Sequence, residues 1–404
     1  MHLSAVEPLL ADMESPPANA LGDLALVFER EAAALDASLP APARGAVADL
    51  MRIANSYYSN RIEGNDTTPA AINAAMRNKN LPDPRARALQ REAWAHVEVQ
   101  RLAEERIAAD PTIEPISRSF LCWLHREFYD RVDPSLRWVE DPKTGRREPV
   151  VPGELRTYPV TVGRHDPPPA EALEPLLARA AAVYDSKRLH GLARAAAFAA
   201  SHHRLMWIHP FGDGNGRVVR LATIMFGRKL GIGGLGLWTP SRGLARKRDN
   251  YMAAMAEADL PRRNDLDGRG VLSLEALVSF IRFFLEVCLD QVRYMRGVLA
   301  LDELGARFES YIRLRAERVA DGPRGELRVE AGPLLRHILI AGELSRGDAS
   351  TAAGLHPRMA SRVIADLLAD GLVTSPSPRG SLRIAIPDHA VRYLLPTLYP
   401  EGVI

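Results

Sequence analysis

The sequence is poor in cysteine, in net charge and in long apolar runs. Only two cysteines occur among the 404 residues, Cys122 and Cys288, and each stands in an apolar helical pattern. A framework held together by disulfides is therefore excluded, and we expect buried free thiols and a cytoplasmic location. The formal net charge of +2 gives no general attraction to nucleic acid or anionic membranes, although a local basic patch stays compatible with it.

Membrane-spanning and secretory segments are not indicated either. The longest apolar stretch, GLARAAAFAASHHRLMWI, is interrupted by two histidines and two arginines, which argues against a transmembrane helix. The first residues, MHLSAVEPLLADMESP, contain early acidic side chains and lack the basic start of a secretory signal. We therefore expect no membrane among the partners of this protein.

Alanine, leucine, arginine and glutamate dominate the chain and strand-like runs are few, which predicts a mostly α-helical protein of two or three domains. The first twenty residues are predicted to form a loose arm. Residues 132–170 are rich in proline, glycine and charge, and this composition is incompatible with a long helix. Helices are predicted near 22–37, 43–60, 83–109, 115–131, 169–186, 190–208, 215–230, 242–258 and 272–318.

The C-terminal part of the chain has a different pattern, and DGPRG at 321–325 reads as a linker before it. The elements predicted beyond the linker are helices at 332–345, 348–354 and 357–369, then strands at 371–374 and 382–386. This order resembles a winged helix-turn-helix. The third helix carries Arg358 and Arg362, but Asp366 and Asp370 oppose their charge. Binding to DNA, binding to a protein and packing on the core therefore all stay open.

One stretch, HPFGDGNGRVVR at 209–220, combines a histidine, an acid, three glycines and two arginines. Glycine tolerates positive φ, so backbone N–H groups are able to turn inward and bind an anion at the start of a helix. Arg217 and Arg220 are three residues apart and share one face of that helix. His209 is able to take a proton, and Asp213 to hold a divalent metal. These are the parts of a nucleotide-phosphate site with a base beside it.

This stretch fits every specified position of the pattern H-x-F-x-[DE]-G-N-G-R-x-x-R, and through it the chain resembles the Fic family. The resemblance extends less sharply over residues 50–300. It implies a Fic-fold helical bundle that transfers AMP from Mg-ATP to a hydroxyl side chain of a target protein. His209 would then be the general base, and Asp213 would coordinate Mg²⁺.

The same resemblance implies the phosphate contacts. Gly214, Asn215 and Gly216 would form the anion hole, Arg217 would bind the leaving diphosphate, and Arg220 would bind the γ-phosphate. The phosphotransferase branch of the family has a lysine at the position of Gly214, so glycine here favours AMP transfer. A phosphotransferase, or transfer of UMP or another nucleotide, stays the alternative.

Two histidines, His202 and His203, precede the motif and are read as packing or surface residues. A metal site built from them and His209 is an alternative, although the spacing matches no zinc pattern. Tyr251 resembles a family position near the adenine, and helix packing explains it almost as well.

A further segment, GELRTYPVTV at 153–162, resembles the family's flap, a β-hairpin that would align the target by strand addition. The β-prone run inside it suggests a hairpin. An ordinary exposed hairpin is the alternative. The residues predicted to face the target are Thr157, Tyr158, Val160, Thr161 and Val162.

An inhibitory element is predicted from SNRIEGN at 59–65, which fits the family pattern [ST]-x-x-x-E-[GN] with Ser59, Glu63 and Gly64. The carboxylate of Glu63 would compete with the γ-phosphate for Arg220 and leave ATP in an unproductive pose. Gly64 would also end the helix locally. In some relatives the equivalent glutamate activates water to remove AMP, and Glu63 is a candidate for that role.

The sequence therefore predicts a mostly α protein with a Fic-fold helical bundle, a short β-hairpin flap and a C-terminal winged-helix-like domain. The expected divisions are an N-terminal helical region at 1–110 with the inhibitory helix near 48–64, a catalytic core at 111–320, and the winged-helix-like domain at 326–404. The expected function is an autoinhibited protein adenylyltransferase that uses ATP and Mg²⁺ on an unidentified target protein. Self-modification, a homodimer and a DNA-binding transcriptional regulator stay open.

Overall fold

A computed structural model describes residues 3–11, 16–140, 145–163 and 165–400 of the chain, and it confirms a mostly helical protein. The helices are α1 (Pro16–Asp36), α2 (Ala41–Ile62), α3 (Pro69–Met76), α4 (Pro84–Ala109), α5 (Arg118–Arg131), α6 (Leu173–Val183), α7 (Ala193–Ile208), α8 (Asn215–Lys229), α9 (Pro240–Arg246), α10 (Arg248–Ala258), α11 (Leu274–Val298), α12 (Leu301–Ala316), α13 (Ala331–Ala341), α14 (Arg346–Ala352), α15 (Pro357–Asp370) and α16 (Asp388–Leu394). The strands are β1 (Trp138–Glu140), β2 (Arg147–Pro149), β3 (Glu343–Leu344), β4 (Val373–Thr374) and β5 (Leu382–Ile384).

Helix α7 lies at the centre of the fold. Its sequence, ARAAAFAASHHRLMWI, is apolar on nearly all sides, which is typical of a helix surrounded by others. Ala197, Phe198 and Leu205 have no exposed surface. Helices α1, α8 and α11 pack against α7. The turn that joins α7 to α8 therefore rests on a fully buried layer.

Both cysteines are buried and free, as expected. Burial raises the pKa of the Cys122 and Cys288 thiols, which keeps them protonated and unreactive at neutral pH. None of the described helices combines the length and apolar character that crossing a bilayer requires.

Two of the predicted helices are each divided into two. The helix predicted at 242–258 is α9 followed by α10, and the one predicted at 272–318 is α11 followed by α12. The second break lets α12 turn and pack on α13, where Leu304 and Phe308 become buried. Hydrophobic periodicity continues across such a break and does not reveal it. Helices α3 and α16 were not predicted.

The N-terminal residues 3–11 are not a loose arm. Val6 and Leu9 are completely buried. The Tyr184 hydroxyl donates to the Leu9 carbonyl, and Arg204 Nε donates to the carbonyl of residue 8 at 2.9 Å. The prediction was wrong because these apolar residues find their partners on α6 and α7, far along the sequence. Residues 1–2 and 12–15 of the predicted arm lie outside the described residues.

The hairpin predicted at 158–162 is reduced to a single antiparallel pair. The backbones of Val162 and His165 exchange two hydrogen bonds of 2.9 Å across the turn at Gly163, and residues 154–161 form no strand. Pro159 lacks the N–H that a ladder requires, and further prolines follow at 167–169. The two-stranded sheet of this region lies earlier in the chain, where β1 pairs antiparallel with β2.

The C-terminal region combines four described helices, α13 to α16, with a small sheet of strand order β3-β5-β4, in which both pairs are antiparallel. The helix predicted at 332–345 ends at Ala341, because Gly342 adopts a φ of +80° and turns the chain into β3. The predicted strands at 371–374 and 382–386 correspond to β4 and β5. The proposed division of the chain into domains stays a prediction.

A buried ion pair joins α12 to α15. Arg315 donates from Nη2 to Asp370 Oδ1 at 2.7 Å and from Nη1 to Oδ2 at 2.9 Å, and neither side chain has exposed surface. His389 Nε2 lies 3.0 Å from Oδ2. Burial alone would raise the pKa of Asp370, but His389 and Arg315 outweigh it and lower that pKa to about 2.

The C-terminal segment after α16 packs on α2. The Tyr58 hydroxyl donates to the Leu398 carbonyl at 2.6 Å, and Arg242 Nε donates to the same carbonyl at 3.1 Å. The ring of Tyr399 lies 5.5 Å from that of Tyr57 and 6.2 Å from that of Tyr58, centroid to centroid. Helix α2 is therefore held between the helical core and the C-terminal region.

Replacing Asp370 by Asn is expected to lower the free energy of unfolding at pH 7 by about 3 kcal/mol, because the Arg315 guanidinium stays buried without its counter-ion. The pKa of Asp370 is lowered in the folded state, so this contribution is complete above pH ~4 and is lost as the pH falls toward 2. Urea unfolding at several pH values measures both effects.

The matched control is Asp366→Asn on the same helix, because Asp366 pairs with the half-exposed Arg324. We expect it to change the unfolding free energy by less than about 1 kcal/mol. Equal losses in the two variants would contradict the assignment of Asp370 as a buried counter-ion.

Candidate active site

The glycine-rich motif forms a tight turn between α7 and α8. Helix α7 ends at Ile208, and the next residue, His209, has a left-handed φ of +49°. Helix α8 begins after Gly214, whose φ is +76°. A Cβ at Gly214 would lie 2.7 Å from the ring of Tyr129, so a larger residue does not fit. The Asn215 side chain accepts from the Phe211 N–H at 2.9 Å and donates to the Phe211 carbonyl at 2.8 Å. No side chain caps α8, so its first amide N–H groups are available to an anion.

A cavity of about 880 Å³ opens over this turn. Its polar lining includes His209, Asp213, Arg217, Arg220 and Glu63. The apolar lining comes from the end of α7 and from α10 and the residues after it, and it includes Met206, Trp207, Met252, Met255 and Leu260. This volume and this mixture of apolar wall and convergent charges suit a ligand of nucleotide size.

His209 has one ring nitrogen engaged. Its Nδ1 lies 3.3 Å from the Met206 carbonyl oxygen. Because a carbonyl only accepts, Nδ1 carries the hydrogen of the neutral ring and Nε2 keeps its lone pair. Burial lowers the pKa of His209 to about 4. The imidazole is therefore neutral at pH 7 and able to accept a proton.

Arg156 was not predicted as a site residue, yet it anchors this turn. Its Nε donates to the His209 carbonyl at 2.8 Å and its Nη2 to the Pro168 carbonyl at 2.5 Å, and its backbone N–H donates to the Pro210 carbonyl at 3.0 Å. Burial lowers the pKa of Arg156. Arg156 thereby ties the segment before α6 to the turn that carries the imidazole. No feature of the sequence distinguishes Arg156 from the other charged residues of the loop at 132–170.

Asp213 is held by residues of α5 and α8. The Tyr129 hydroxyl donates to Oδ2 at 2.7 Å, and Arg217 Nη2 lies 3.2 Å from the same oxygen. His125 Nε2 lies 3.3 Å from the Asp213 carbonyl, while its Nδ1 accepts from the Gly153 N–H at 2.9 Å. Burial raises the pKa of Asp213, although the bond from Tyr129 opposes that rise.

The alternative metal site is wrong. His202 contacts Thr223 Oγ1 at 2.9 Å and the Tyr251 hydroxyl at 2.8 Å, so both of its ring nitrogens are engaged in the core. Within the described ranges, no group of three or more His, Cys, Asp or Glu side chains is arranged to hold a metal. A single carboxylate such as that of Asp213 is compatible with Mg²⁺, because proteins hold this ion by one or two carboxylates together with substrate phosphates.

Arg217 and Arg220 both line the cavity from the first turns of α8. Arg220 Nε donates to Ser59 Oγ at 2.8 Å, and its Nη2 donates to Glu63 Oε1 at 2.5 Å. Arg217 Nη1 contacts Glu92 Oε1 on α4. Among the described residues, Arg217 Nε and Arg220 Nη1 are buried and have no hydrogen-bond partner. Buried donors without partners are costly, and an anion in the cavity would satisfy them.

Glu63 follows the last turn of α2, and its carboxylate lies against the first turn of α8. A Cβ at Gly216 would lie 2.0 Å from Glu63 Oε1, so only glycine leaves room for it. Burial would raise the pKa of Glu63, but the charges of Arg220 and then Arg217 outweigh it, and the pKa lies below its usual value. The carboxyl group stays charged at neutral pH, with 37% of the side chain exposed. Gly64 ends the helix with a φ of +85°.

Tyr251 lines the cavity, but its hydroxyl is engaged in the core. Thr223 donates to the Val219 carbonyl at 2.7 Å, so it accepts from His202 Nδ1, and His202 Nε2 then accepts from the Tyr251 hydroxyl at 2.8 Å. Burial raises the pKa of Tyr251 to about 12. This side chain therefore stays neutral, and its role toward a base stays a prediction.

The predicted flap residues are only partly brought to the site. Val162 is 39% exposed and lines the cavity. Tyr158 lies against the motif, since a Cβ at Gly212 would be 2.0 Å from its hydroxyl. The Thr161 hydroxyl donates to Asp166 at 3.4 Å. Thr157, Val160 and Thr161 are not among the cavity-lining residues.

Residues 115–227, which contain this turn, match the Fic/DOC family. Protein adenylyltransferase Fic of Nematostella vectensis is 32% identical over 173 residues, which are 41% of this chain and 35% of that protein. Protein adenylyltransferase Fic of Drosophila mojavensis is 28% identical over 165 residues, which are 41% of this chain and 29% of that protein. The chain thus spans about a third of the length of these relatives.

Two solved structures share the fold. A Fic family protein from Desulfovibrio desulfuricans G20 has a TM-score of 0.52 at 20% identity and covers 92% of this chain and 96% of its own. Fic-1 from C. elegans has a TM-score of 0.53 at 17% identity, over 70% of this chain and 74% of its own. The resemblance to the Fic family that the motif indicated is therefore confirmed, and so is the fold class.

The imidazole of His209 is expected to titrate near pH 4 instead of near 6.5, because burial opposes its protonation in the folded protein. NMR of protein labelled in the histidine ring, with His209→Ala for assignment, measures this midpoint. The exposed His337 provides a reference resonance from a histidine outside the cavity. A midpoint of 6 or above for His209 would contradict the buried, neutral base.

Proposed function

We propose that this chain is a protein adenylyltransferase that transfers AMP from Mg-ATP to a hydroxyl side chain of a target protein. The observation that carries the proposal is the pair of buried guanidinium groups with unpartnered N–H donors beside the uncapped start of α8. A triphosphate supplies the anionic oxygens that these donors lack. The names of the matched relatives support the same activity.

The chemistry follows from the position of His209 at the cavity. Its Nε2 accepts the proton of the target hydroxyl, whose oxygen forms a bond to the α-phosphorus of ATP. The bond between that phosphorus and the β-phosphate oxygen breaks, and diphosphate leaves. Arg217 holds the diphosphate and Arg220 binds the γ-phosphate, while the amide groups of residues 214–216 face the phosphate chain.

Asp213 would hold Mg²⁺, which supplies charge neutralisation to the phosphate oxygens. Tyr129 and Arg217 fix the Asp213 carboxylate from two sides. Val162 and Tyr158 stand beside the site, where backbone of the target would lie. Proline at 159 and the single bridge at Val162 limit strand addition to the tip of this segment.

We propose in addition that Glu63 inhibits the reaction in cis. Its carboxylate and the Ser59 hydroxyl occupy Nη2 and Nε of Arg220, the guanidinium assigned to the γ-phosphate. A γ-phosphate bound to the same Nη2 group would have to displace that carboxylate, because the two anions compete for one donor and repel each other. Helix α2 supports the inhibited position, since Tyr58 and Tyr57 anchor its last turns on the C-terminal segment.

The Glu63→Gly variant is expected to incorporate labelled AMP into itself or into lysate proteins at least tenfold faster than wild type. A tenfold increase in rate corresponds to the free energy of one charge-assisted contact, that of Glu63 with Arg220, which no longer competes with the γ-phosphate. His209→Ala in the Glu63→Gly background should abolish incorporation, because the base is lost. Scintillation counting after incubation with labelled ATP and Mg²⁺ measures the rates.

The control is Glu98→Gln, a carboxylate on α4 that pairs with Arg101 at the surface and lies outside the cavity. It should behave as wild type. Equal incorporation by wild type and Glu63→Gly would contradict inhibition by this residue.

Mass spectrometry of the product distinguishes AMP from UMP or phosphate, and release of AMP from a modified target tests whether Glu63 also supports removal.

A second candidate function is binding of double-stranded DNA by the C-terminal region, which we propose to be a winged helix. The order α13-β3-α14-α15-β4-β5, with strand order β3-β5-β4, favours it. Asp366 and Asp370 pair with Arg324 and Arg315, so these acids no longer oppose the exposed Arg358 and Arg362 on α15.

The full chain is expected to shift labelled duplex DNA at low salt. Replacing both Arg358 and Arg362 by alanine should reduce the slope of log affinity against log salt by about 2, since each phosphate contact contributes about one. The charge-matched control replaces both Arg313 and Arg318 by alanine, two arginines that precede the linker at 321–325 in the sequence. Absence of a shift at low salt, or an unchanged slope in the α15 variant, would remove DNA as a partner.

A further inference from the structure

Glu92 on α4 is part of neither the glycine-rich motif nor the inhibitory segment, yet it touches the site. Its Oε1 contacts Arg217 Nη1, and each of these two side chains is only 9% exposed. Glu92 does not line the cavity, whereas Arg217 does. The carboxylate is therefore buried next to a cavity-lining guanidinium without occupying the space that a ligand would take.

The second oxygen of Glu92 is held by Asn65, the last residue of the inhibitory segment at 59–65. Asn65 Nδ2 donates to Glu92 Oε2 at 3.0 Å and lies 3.3 Å from the Leu89 carbonyl. The amide orientation of Asn65 is fixed, because its Oδ1 accepts from the N–H and the hydroxyl of Thr67 at 2.9 and 2.7 Å. Both oxygens of Glu92 thus have partners, and its rotamer is determined.

Arg217 is held on three sides as a result. Glu92 Oε1 contacts its Nη1, and Asp213 Oδ2 lies 3.2 Å from its Nη2. The centroid of the Phe128 ring lies 5.2 Å from its Cζ. The Nε group stays buried without a partner among the residues that the structure describes. A mobile arginine side chain loses conformational entropy when it binds a ligand, and this loss weakens the affinity. A side chain that the protein already holds in place does not have this loss on binding.

We propose that Glu92 is a positioning residue for phosphate binding: it holds Arg217, together with Asp213, so that its free N–H faces the nucleotide. The proposal rests on the adenylyltransferase function proposed above. It gives the two glutamates opposite roles. Glu63 is 37% exposed and competes for its arginine, whereas Glu92 is buried and stays paired when nucleotide binds.

The test uses the Glu63→Gly background, in which the competing carboxylate is absent, and adds Glu92→Gln. Glutamine keeps the shape and the contact with Asn65 but removes the charge that orients Arg217. The dissociation constant of Mg-ATP, measured by calorimetry, is expected to rise about tenfold. In transfer assays KM should rise by a similar factor while kcat changes less than about twofold, because the residue acts on binding.

The matched control is Glu104→Gln in the same background. Glu104 also lies on α4, is 11% exposed, and pairs with Arg52 of α2 at 2.9 Å and with Arg228 of α8 at 3.2 Å, outside the cavity. It ties the same helices together, so a merely structural effect would appear in both variants. We expect the Glu104 variant to leave the dissociation constant unchanged even if its melting temperature falls.

An unchanged dissociation constant in folded Glu92→Gln protein would overturn the proposal, and so would equal increases in the two variants. If Glu92→Gln does not fold, Asn65→Ala leaves Glu92 itself in place, removes the amide that holds it together with the contacts of that amide to Leu89 and Thr67, and should raise the constant about threefold. No increase in that variant would overturn the proposal as well. Calorimetry needs no turnover, so tenfold weaker binding without any AMP transfer would support Glu92 and reject the adenylyltransferase function.

Discussion

The contact between Arg220 and the end of α2 is the constraint on which the site depends. The guanidinium is buried at the first turns of α8, and Ser59 and Glu63 supply its partners from 161 and 157 residues away in sequence. A buried charge of this kind requires compensation in the folded state. The pair therefore locates α2 over the glycine-rich turn and at the same time occupies a donor that a phosphate would use.

The remaining charges of the site are arranged around that contact. Two arginines lie side by side on α8; burial lowers the pKa of Arg217 to about 10, and the charge of the neighbouring Arg220 lowers it as well. Carboxylates from three different parts of the chain compensate them, Glu63 and Glu92 from the N-terminal helices and Asp213 from the motif. His209 stays neutral beside this cluster because burial lowers its pKa to about 4. One cavity thus combines an anion site with an uncharged base.

Helix α2 connects this cluster to the C-terminal region. Its last turns contact Arg220 on one side and the C-terminal segment on the other, through Tyr58 and the carbonyl of Leu398. A withdrawal of Glu63 that moved α2 as a body would break a buried hydrogen bond and separate the stacked rings of Tyr58 and Tyr399. A local change at the end of the helix, around Gly64, requires neither.

Much of this fold could be predicted from the sequence, because helix periodicity and the glycine-rich pattern are local signals. The motif placed His209, Asp213, Arg217 and Arg220 in one turn, and the inhibitory pattern named Glu63. The division of 272–318 into α11 and α12 and the burial of the N-terminal residues could not be predicted, since each depends on a distant partner. The hairpin is shorter than predicted for a local reason, because Pro159 lacks the N–H that a ladder requires.

The amino-acid sequence by itself determined which functional groups stand at the start of α8, because the spacing of the motif and the conformational freedom of glycine act over a few residues. Only the tertiary structure decided that Glu92 and Arg156 belong to the site and that both motif arginines are already paired. The physical reason is that a buried guanidinium or carbonyl is satisfied by whatever group the packing of helices brings within reach, and that group need not be near in sequence.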